Sequence, residues 1–271
     1  MKKASEYYKS NKPVENVLSF LESKYGERED YTVEELSVID SFHIRGKAAT
    51  VSLATVSQIQ KNALVLDIGA GPGGTARYLS STYGANVIGL DLTSDFSVLA
   101  STLSKKTLLA EKNSFLCGNA VALPFKNNSF DNVWMEHVQM NIENKLLLLK
   151  ELYRVLKQGG CLSLYEVFQT DTIPPDYPLP WADVSDSGFL ISPGVMKAFS
   201  EEAGFEISHW HDSYDEIVKW AVKSSGKEKD FKKAAPGVYS LMGTCPQQKV
   251  ENFTTAVLNN RIAVVEAVLK K

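Results

Sequence analysis

The chain has 271 residues, 44% of them hydrophobic and 23% charged, with 29 basic against 32 acidic side chains and a net charge of −3. This balance excludes extensive disorder and argues against a nucleic-acid or acidic-membrane surface as the main partner. The length predicts a single domain over residues 1–271, with insertions, rather than two full ones.

Cys117, Cys161 and Cys245 are far apart and odd in number, which suits a reducing compartment. The stretch after Lys2 and Lys3 lacks the apolar core of a signal peptide, and no apolar run reaches the ~18 to 20 residues of a membrane helix. The expectation is a cytoplasmic protein without membrane insertion.

In chain order, residues 1–60 read as a helical N-terminal cap, with helices around 14–25 and 33–60. From Leu64 short apolar runs alternate with amphipathic stretches, the pattern of parallel strands joined by crossover helices. LVLDI (64–68) predicts the first strand, TARYLSSTYG a helix stopped at Gly84, and NVIGLD (86–91) the second strand. Strand-like runs recur at 114–117, 130–135 and 161–167, with helices near 94–111 and 143–157, so residues 61–167 predict a sheet covered on both faces.

After residue 168 four of the ten prolines fall within QTDTIPPDYPLPWADVSDSG, which predicts a loop or lid, because proline neither donates to a ladder nor sits inside a helix. A helix over 193–203, a strand at 205–210, a helix from Pro246 and a β-branched strand at 261–271 complete this C-terminal part, 168–271.

Gly69, Gly71 and Gly74 satisfy the G-x-G-x-x-G spacing of dinucleotide sites. A strand, glycine turn and helix at 64–80 bring backbone N–H groups and a positive helix end to a ligand, whether pyrophosphate or carboxylate. Asp91, 20 residues after Gly71, stands where an acid accepts hydrogen bonds from ribose hydroxyls. Asp67 discriminates between the ligands: a carboxylate beside the loop opposes a pyrophosphate and favours a ligand with positive charge. S-adenosylmethionine carries an α-ammonium and a sulfonium and also has a ribose, so it accounts for both acids.

Further pieces follow in order: Asn119-Ala120, Leu123-Pro124-Phe125, Ser129-Phe130-Asp131, and Arg154-Val155-Leu156-Lys157 running to Gly159-Gly160. With Asp67, the glycines and Asp91, this set resembles the class I S-adenosylmethionine-dependent methyltransferases over about residues 60–167. FHIRGKAAT (42–50), HVQMNI (137–142) and YPLPWA (177–182) look like the branch of sarcosine and dimethylglycine methyltransferases and related small-molecule enzymes.

The resemblance implies a Rossmann-like α/β fold: a seven-stranded, mostly parallel sheet with helices on both faces and an antiparallel last strand. It implies that Gly69, Ala70, Gly71 and Gly73 wrap the methionine part, Asp91 holds the ribose, Leu92 lies beside the adenine, and Asn119 and Ala120 meet its edge. Arg45 and Gly46 stand where relatives commonly have two glycines, which leaves Arg45 to pair with a carboxylate. The resemblance also suggests that Tyr7 and Tyr8 fold over the cleft.

Methyl transfer is an in-line displacement, so alignment and exclusion of water are the main requirements. An amine acceptor must be neutral, and a hydroxyl acceptor more plainly needs a base. His137, after the fourth strand at the carboxyl edge of the sheet, is the leading candidate for that role and for cofactor contact. Gln139 and Asn141 are candidates to orient the acceptor, with Tyr165 and Glu166 facing the cleft. Tyr177 and Trp181 in the proline-rich loop would form an aromatic wall suited to a methylated ammonium. His209 and His211 alternate on a strand without a third spaced ligand, so no metal is expected.

The expected function is methyl transfer from S-adenosylmethionine to a small-molecule acceptor, first an amine of the sarcosine or dimethylglycine type, second a quinone, phenol or other metabolite. A nicotinamide-dependent oxidoreductase and a non-catalytic cofactor-binding module are the rivals. The oligomeric state is not specified by these residues.

Overall fold

Alternate residues of an interior strand point to opposite faces, and that alternation divides the core. In β1 (Leu64–Ile68), Val65 packs with helices on one side while Leu66 and Ile68 pack on the other. The computed structural model describes residues 13–40, 43–170, 173–225 and 244–271. The cap helices are α1 (Pro13–Tyr25), α2 (Val33–Asp40) and α3 (Lys47–Ser57), and α4 (Gly74–Tyr83), β2 (Asn86–Asp91), α5 (Ser94–Lys106) and β3 (Asn113–Cys117) follow β1. Then come β4 (Phe130–Glu136), α6 (Lys145–Val155), β5 (Leu156–Gln169), α7 (Pro193–Glu202), β6 (Glu206–Asp212), α8 (Tyr214–Ser225), α9 (Pro246–Leu258) and β7 (Ile262–Lys270).

The sheet order is β3-β2-β1-β4-β5-β7-β6. β1 to β5 are parallel, and β7 runs antiparallel to both β5 and β6, as the resemblance implies. The order reverses between β1 and β4, which opens a crevice at the carboxyl ends of those strands, where open α/β sheets take their ligands. On one face pack α3, α4, α8 and α9, through residues such as Leu53, Leu79, Ile217 and Phe253. The other is covered by α6 and α7, through Leu148, Leu149, Leu152 and Met196. A third cluster joins the cap to the body: Val17 and Leu21 of α1, with Leu36 and Ile39 of α2, pack on Leu99 and Leu103 of α5. No described helix is long and apolar enough to cross a membrane.

Three expectations change. The helix predicted over 33–60 is two helices, because Arg45 (φ 65°) and Gly46 (φ 52°) take the left-handed region and turn the chain between them. The fifth strand begins at Leu156 rather than 161 and runs to Gln169; Gly159 at φ 75° absorbs the register shift between Phe130↔Leu156 and Asn132↔Cys161. The proline-rich segment, described from residue 173, is packed rather than a free lid. Leu179 and Trp181 are buried, Trp181 meets Phe253 of α9 edge-on at 6.0 Å, and Asn252 donates to the Pro178 carbonyl. The buried Lys249 of α9 reaches Asp183 at 2.6 Å.

Candidate active site

The glycine turn after β1 is shaped by what lies against it. At Gly69 (φ 69°) a Cβ would fall 2.4 Å from Val138 Cγ2, so only glycine lets the turn approach the segment after β4. The Gly69 N–H donates to the Leu90 carbonyl at 2.7 Å, and the Gly71 N–H donates to Asp91 Oδ2 at 3.0 Å. Asp91 Oδ1 accepts from the Thr93 N–H at 2.8 Å. One carboxylate at the end of β2 thus ties the glycine turn to the start of α5.

These turns enclose a cavity at the reversal of sheet order, lined by Asp67, Gly69, Ala70, Gly71, Asp91 and Leu92. Asn119 and Ala120 line it after β3, and His137 and Asn141 after β4. The expected cofactor residues therefore converge on one cavity, with one exception. Gly73 faces away, where its Cβ would lie 2.8 Å from Phe115 and 2.9 Å from Ala100. It serves the packing of α4 rather than the ligand.

Three carboxylates close the carboxyl ends of the adjacent strands β2, β1 and β4: Asp91, Asp67 and Glu136. Glu136 Oε2 accepts from the Thr75 hydroxyl of α4 at 2.7 Å, and its Oε1 accepts from the Thr50 hydroxyl of α3 at 3.0 Å. His43 Nε2 lies 3.6 Å from the same carboxylate. Asp67 is 3% exposed and its Oδ2 has no hydrogen-bond partner. Burial, reinforced by the charges of Glu136 and Asp91, holds the Asp67 pKa well above the usual carboxylate range. Burial also raises Asp91, against the backbone N–H groups of Thr93 and Gly71.

Among the described residues that line the cavity there is no lysine or arginine. A doubly negative pyrophosphate would meet Asp67, Asp91 and Glu136 without a counter-charge in the lining, beside a fourth carboxylate, Asp40, that is paired with Arg77. S-adenosylmethionine fits: the unpartnered Asp67 oxygen and the surplus of negative charge call for a cationic ligand, while Asp91 keeps lone pairs for ribose hydroxyls.

The opposite wall is the turn after β4. His137 has φ 54°, an uncommon conformation for a residue other than glycine, and its N–H donates to the Tyr165 carbonyl at 2.9 Å. Its ring stacks on Tyr165 (centroids 5.4 Å, interplanar angle 8°) and meets His43 edge-on at 5.9 Å. Burial, with His43 nearby, pushes the His137 pKa well below its usual value, so the ring is neutral at pH 7 and its Nε2 has no partner.

The turn is pinned from both ends. The Val138 and Gln139 N–H groups donate to Glu166 at 2.9 and 3.1 Å, and Lys145 Nζ donates to the Gln139 carbonyl at 2.5 Å and to that of Ile142. Burial pushes the Glu166 carboxyl up to about 8 and the Lys145 ammonium down to about 7.

Several expected acceptor residues do not line this cavity. The Gln139 amide is buried and donates to the Val167 carbonyl, so it holds the turn against β5. Tyr165 is fully buried behind His137; burial raises its hydroxyl pKa, opposed by the nearby Arg45 guanidinium. Glu166 faces the turn's backbone rather than a cleft. Tyr177 packs with its hydroxyl against Gly188, and Trp181 is part of the core beside Phe253. Asn141 alone of the proposed acceptor set lines the cavity. His209 and His211 bond to Glu266 and Glu216, and among the described residues no group of three or more His, Cys, Asp or Glu side chains is placed to hold a metal. Tyr7, Tyr8 and Phe42 lie outside the described residues.

Sequence reasoning missed Glu136, His43, Thr50 and Thr75. Glu136 ends β4 directly before His137, so its position at the carboxyl edge was a usable signal; the threonines come from separate helices and gave none.

Residues 66–164 match the family model described as a methyltransferase domain. A sterol 24-C-methyltransferase of Aspergillus fumigatus is 31% identical over 65% of this chain and 49% of its own. A sarcosine/dimethylglycine N-methyltransferase of Aphanothece halophytica is 30% identical over 57% of this chain and 56% of its own. The chain spans about half the length of these curated relatives. Geranyl diphosphate C-methyltransferase from Streptomyces coelicolor A3(2), solved with S-adenosyl-L-homocysteine, superposes with a TM-score of 0.74 at 12% identity, covering 99% of this chain and 96% of that one. Residues 66–164 thus match a methyltransferase domain, and the fold of the chain is that of the Rossmann-like class I S-adenosylmethionine-dependent methyltransferases.

Proposed function

We propose that this protein transfers a methyl group from S-adenosylmethionine to a small-molecule acceptor, an amine of the sarcosine or dimethylglycine type. The observation that carries the cofactor half is the cavity at the reversal of sheet order, lined by four carboxylates, Asp40, Asp67, Asp91 and Glu136, and, among the described residues, by no lysine or arginine. The similarity to a sarcosine/dimethylglycine N-methyltransferase and the neutral, unpartnered imidazole of His137 support the amine.

The bound cofactor supplies a methyl group activated by its sulfonium. The chain supplies position and environment. The glycine turn and Asp67 take the amino-acid end, Asp91 the ribose, and Leu92, Asn119 and Ala120 the base. The neutral His137 ring can accept a hydrogen bond from an amine already in its neutral, attacking form, and Asn141, which lines the same cavity, offers an amide to orient the acceptor. The stacked rings of His137 and Tyr165 exclude water from that wall.

The test is a methyl-transfer screen with labelled S-adenosylmethionine over amines, phenols, quinones and sterols. Labelled N-methyl product, formed one for one with S-adenosylhomocysteine, is expected. Transfer to oxygen or carbon alone would overturn the amine assignment, and selective binding of NADH over S-adenosylhomocysteine would overturn the cofactor.

A further inference from the structure

The charge of the cavity has a direction in the reaction. S-adenosylmethionine and its product share the adenosine, the α-ammonium and the carboxylate, and differ in one charge: the sulfonium becomes a neutral thioether when its methyl group leaves with the acceptor. A site that senses this charge separates donor from product.

We propose that Glu136 is that sensor, a charge-selective residue that makes the cavity prefer a cation at the methyl-donating centre over the neutral product. The proposal rests on the assignment of the cavity to S-adenosylmethionine.

Glu136 is placed for the role. It ends β4, the strand next to β1 across the reversal of sheet order, and its carboxylate lines the cavity with those of Asp67 and Asp91. The Thr75 and Thr50 hydroxyls, from two different helices, donate to it at 2.7 and 3.0 Å, so its direction is set on two sides. No lysine or arginine lines the cavity to neutralise it among the described residues, and the one neighbouring ring nitrogen, His43 Nε2, sits 3.0 Å from the Gly46 carbonyl.

Asp91 already accepts two backbone N–H groups and belongs to the ribose, which both ligands carry. Among the described residues the hydrogen bonds to Glu136 come from threonine side chains and none from the backbone. Unlike Asp40, which lines the same cavity but is paired with Arg77, Glu136 faces no arginine or lysine among the described residues, and in a buried site its attraction for a cation is far stronger than in water. Transfer of the methyl group removes that attraction and leaves product bound by the shared contacts alone, which favours its release.

Calorimetry with three probes on the full chain tests this: S-adenosylmethionine, S-adenosylhomocysteine, and sinefungin, which carries an ammonium in place of the sulfonium. The wild type is expected to bind both cationic ligands more tightly than S-adenosylhomocysteine. Glu136→Gln, which keeps an oxygen for the threonines, should weaken the two cationic ligands about tenfold, or about 1.4 kcal/mol, and leave S-adenosylhomocysteine within about twofold. Its affinity for S-adenosylhomocysteine also reports that the variant is folded. Glu136→Asp keeps the charge and should retain the preference. Equal weakening of all three ligands, an unchanged ratio in Glu136→Gln, or loss of preference in both variants would overturn the proposal while leaving the cofactor assignment intact. Failure of the wild type to bind any of the three overturns both.

Discussion

Asp91 joins two backbone N–H groups from different turns while facing the cavity, so its side chain shapes the site it lines. Asp91→Ala should weaken S-adenosylhomocysteine binding by about 1.5 to 3 kcal/mol, the scale of hydrogen bonds to a charged group, as read by calorimetry. Unchanged affinity would take Asp91 out of the site. At His137 the cost of burial appears as pH dependence of folding. Its folded pKa lies well below the ~6.5 of an unfolded chain. The unfolded state therefore binds the extra proton first, so the stability present above about pH 6.5 is lost as pH falls through the window beneath it, by up to about 1.4 kcal/mol per unit. Urea midpoints at pH 7.5, 6 and 5 should fall more steeply for the wild type than for His137→Gln; parallel declines would show that another group governs the acid limb.

At the level of the element, the turn at 137–142 is held by two buried groups, Glu166 and Lys145, that do not line the cavity. Glu166→Ala would leave the Val138 and Gln139 N–H groups without an acceptor, at about 1 to 3 kcal/mol for such a loss in the interior. Because His137 and Val138 line the cavity, the variant should also bind S-adenosylhomocysteine more weakly, whereas a purely structural loss would lower the urea midpoint alone. This turn also shows what sequence can reveal. β1, α4 and β2 were legible because apolar runs alternate with a helix closed by Gly84, which adopts φ 71° as a helix stop does. Gln139 read as an acceptor contact because a polar residue in an apolar turn suggests exposure; it is buried because the Val167 carbonyl on a strand 28 residues away accepts its amide. Trp181 was misplaced for the same reason, since proline spacing announces a loop but not the α9 surface on which it packs. The break at 45–46 had one local signal, Gly46, whose φ is 52°; Arg45 beside it gave none, because arginine is not a residue whose chemistry asks for positive φ.

Across the whole molecule, the N-terminal cap is attached to the cofactor loop by a buried ion pair. Asp40 at the end of α2 bonds to Arg77 of α4, and Arg77, wholly buried, also donates to the Pro72 carbonyl of the glycine turn at 2.8 Å. The fit is close: a Cβ at Gly74 would lie 2.3 Å from that of Asp40. Burial still outweighs the partner's charge and pushes the Asp40 carboxyl up to about 6, so the pair links the two parts at a high desolvation cost. Removing one member leaves the other charge stranded, and Asp40→Ala should destabilise the fold by about 3 to 5 kcal/mol. Replacing both, as Asp40→Leu with Arg77→Met, removes two desolvation penalties together and should recover most of that loss. The double variant then separates stability from function. Asp40 lines the cavity and Arg77 holds the Pro72 carbonyl in place, so a double variant with near-wild-type urea midpoint is still expected to bind S-adenosylhomocysteine more weakly. Wild-type affinity in that variant would show that the cap is joined to the site by packing alone, through the contacts of α1 and α2 with Leu99 and Leu103.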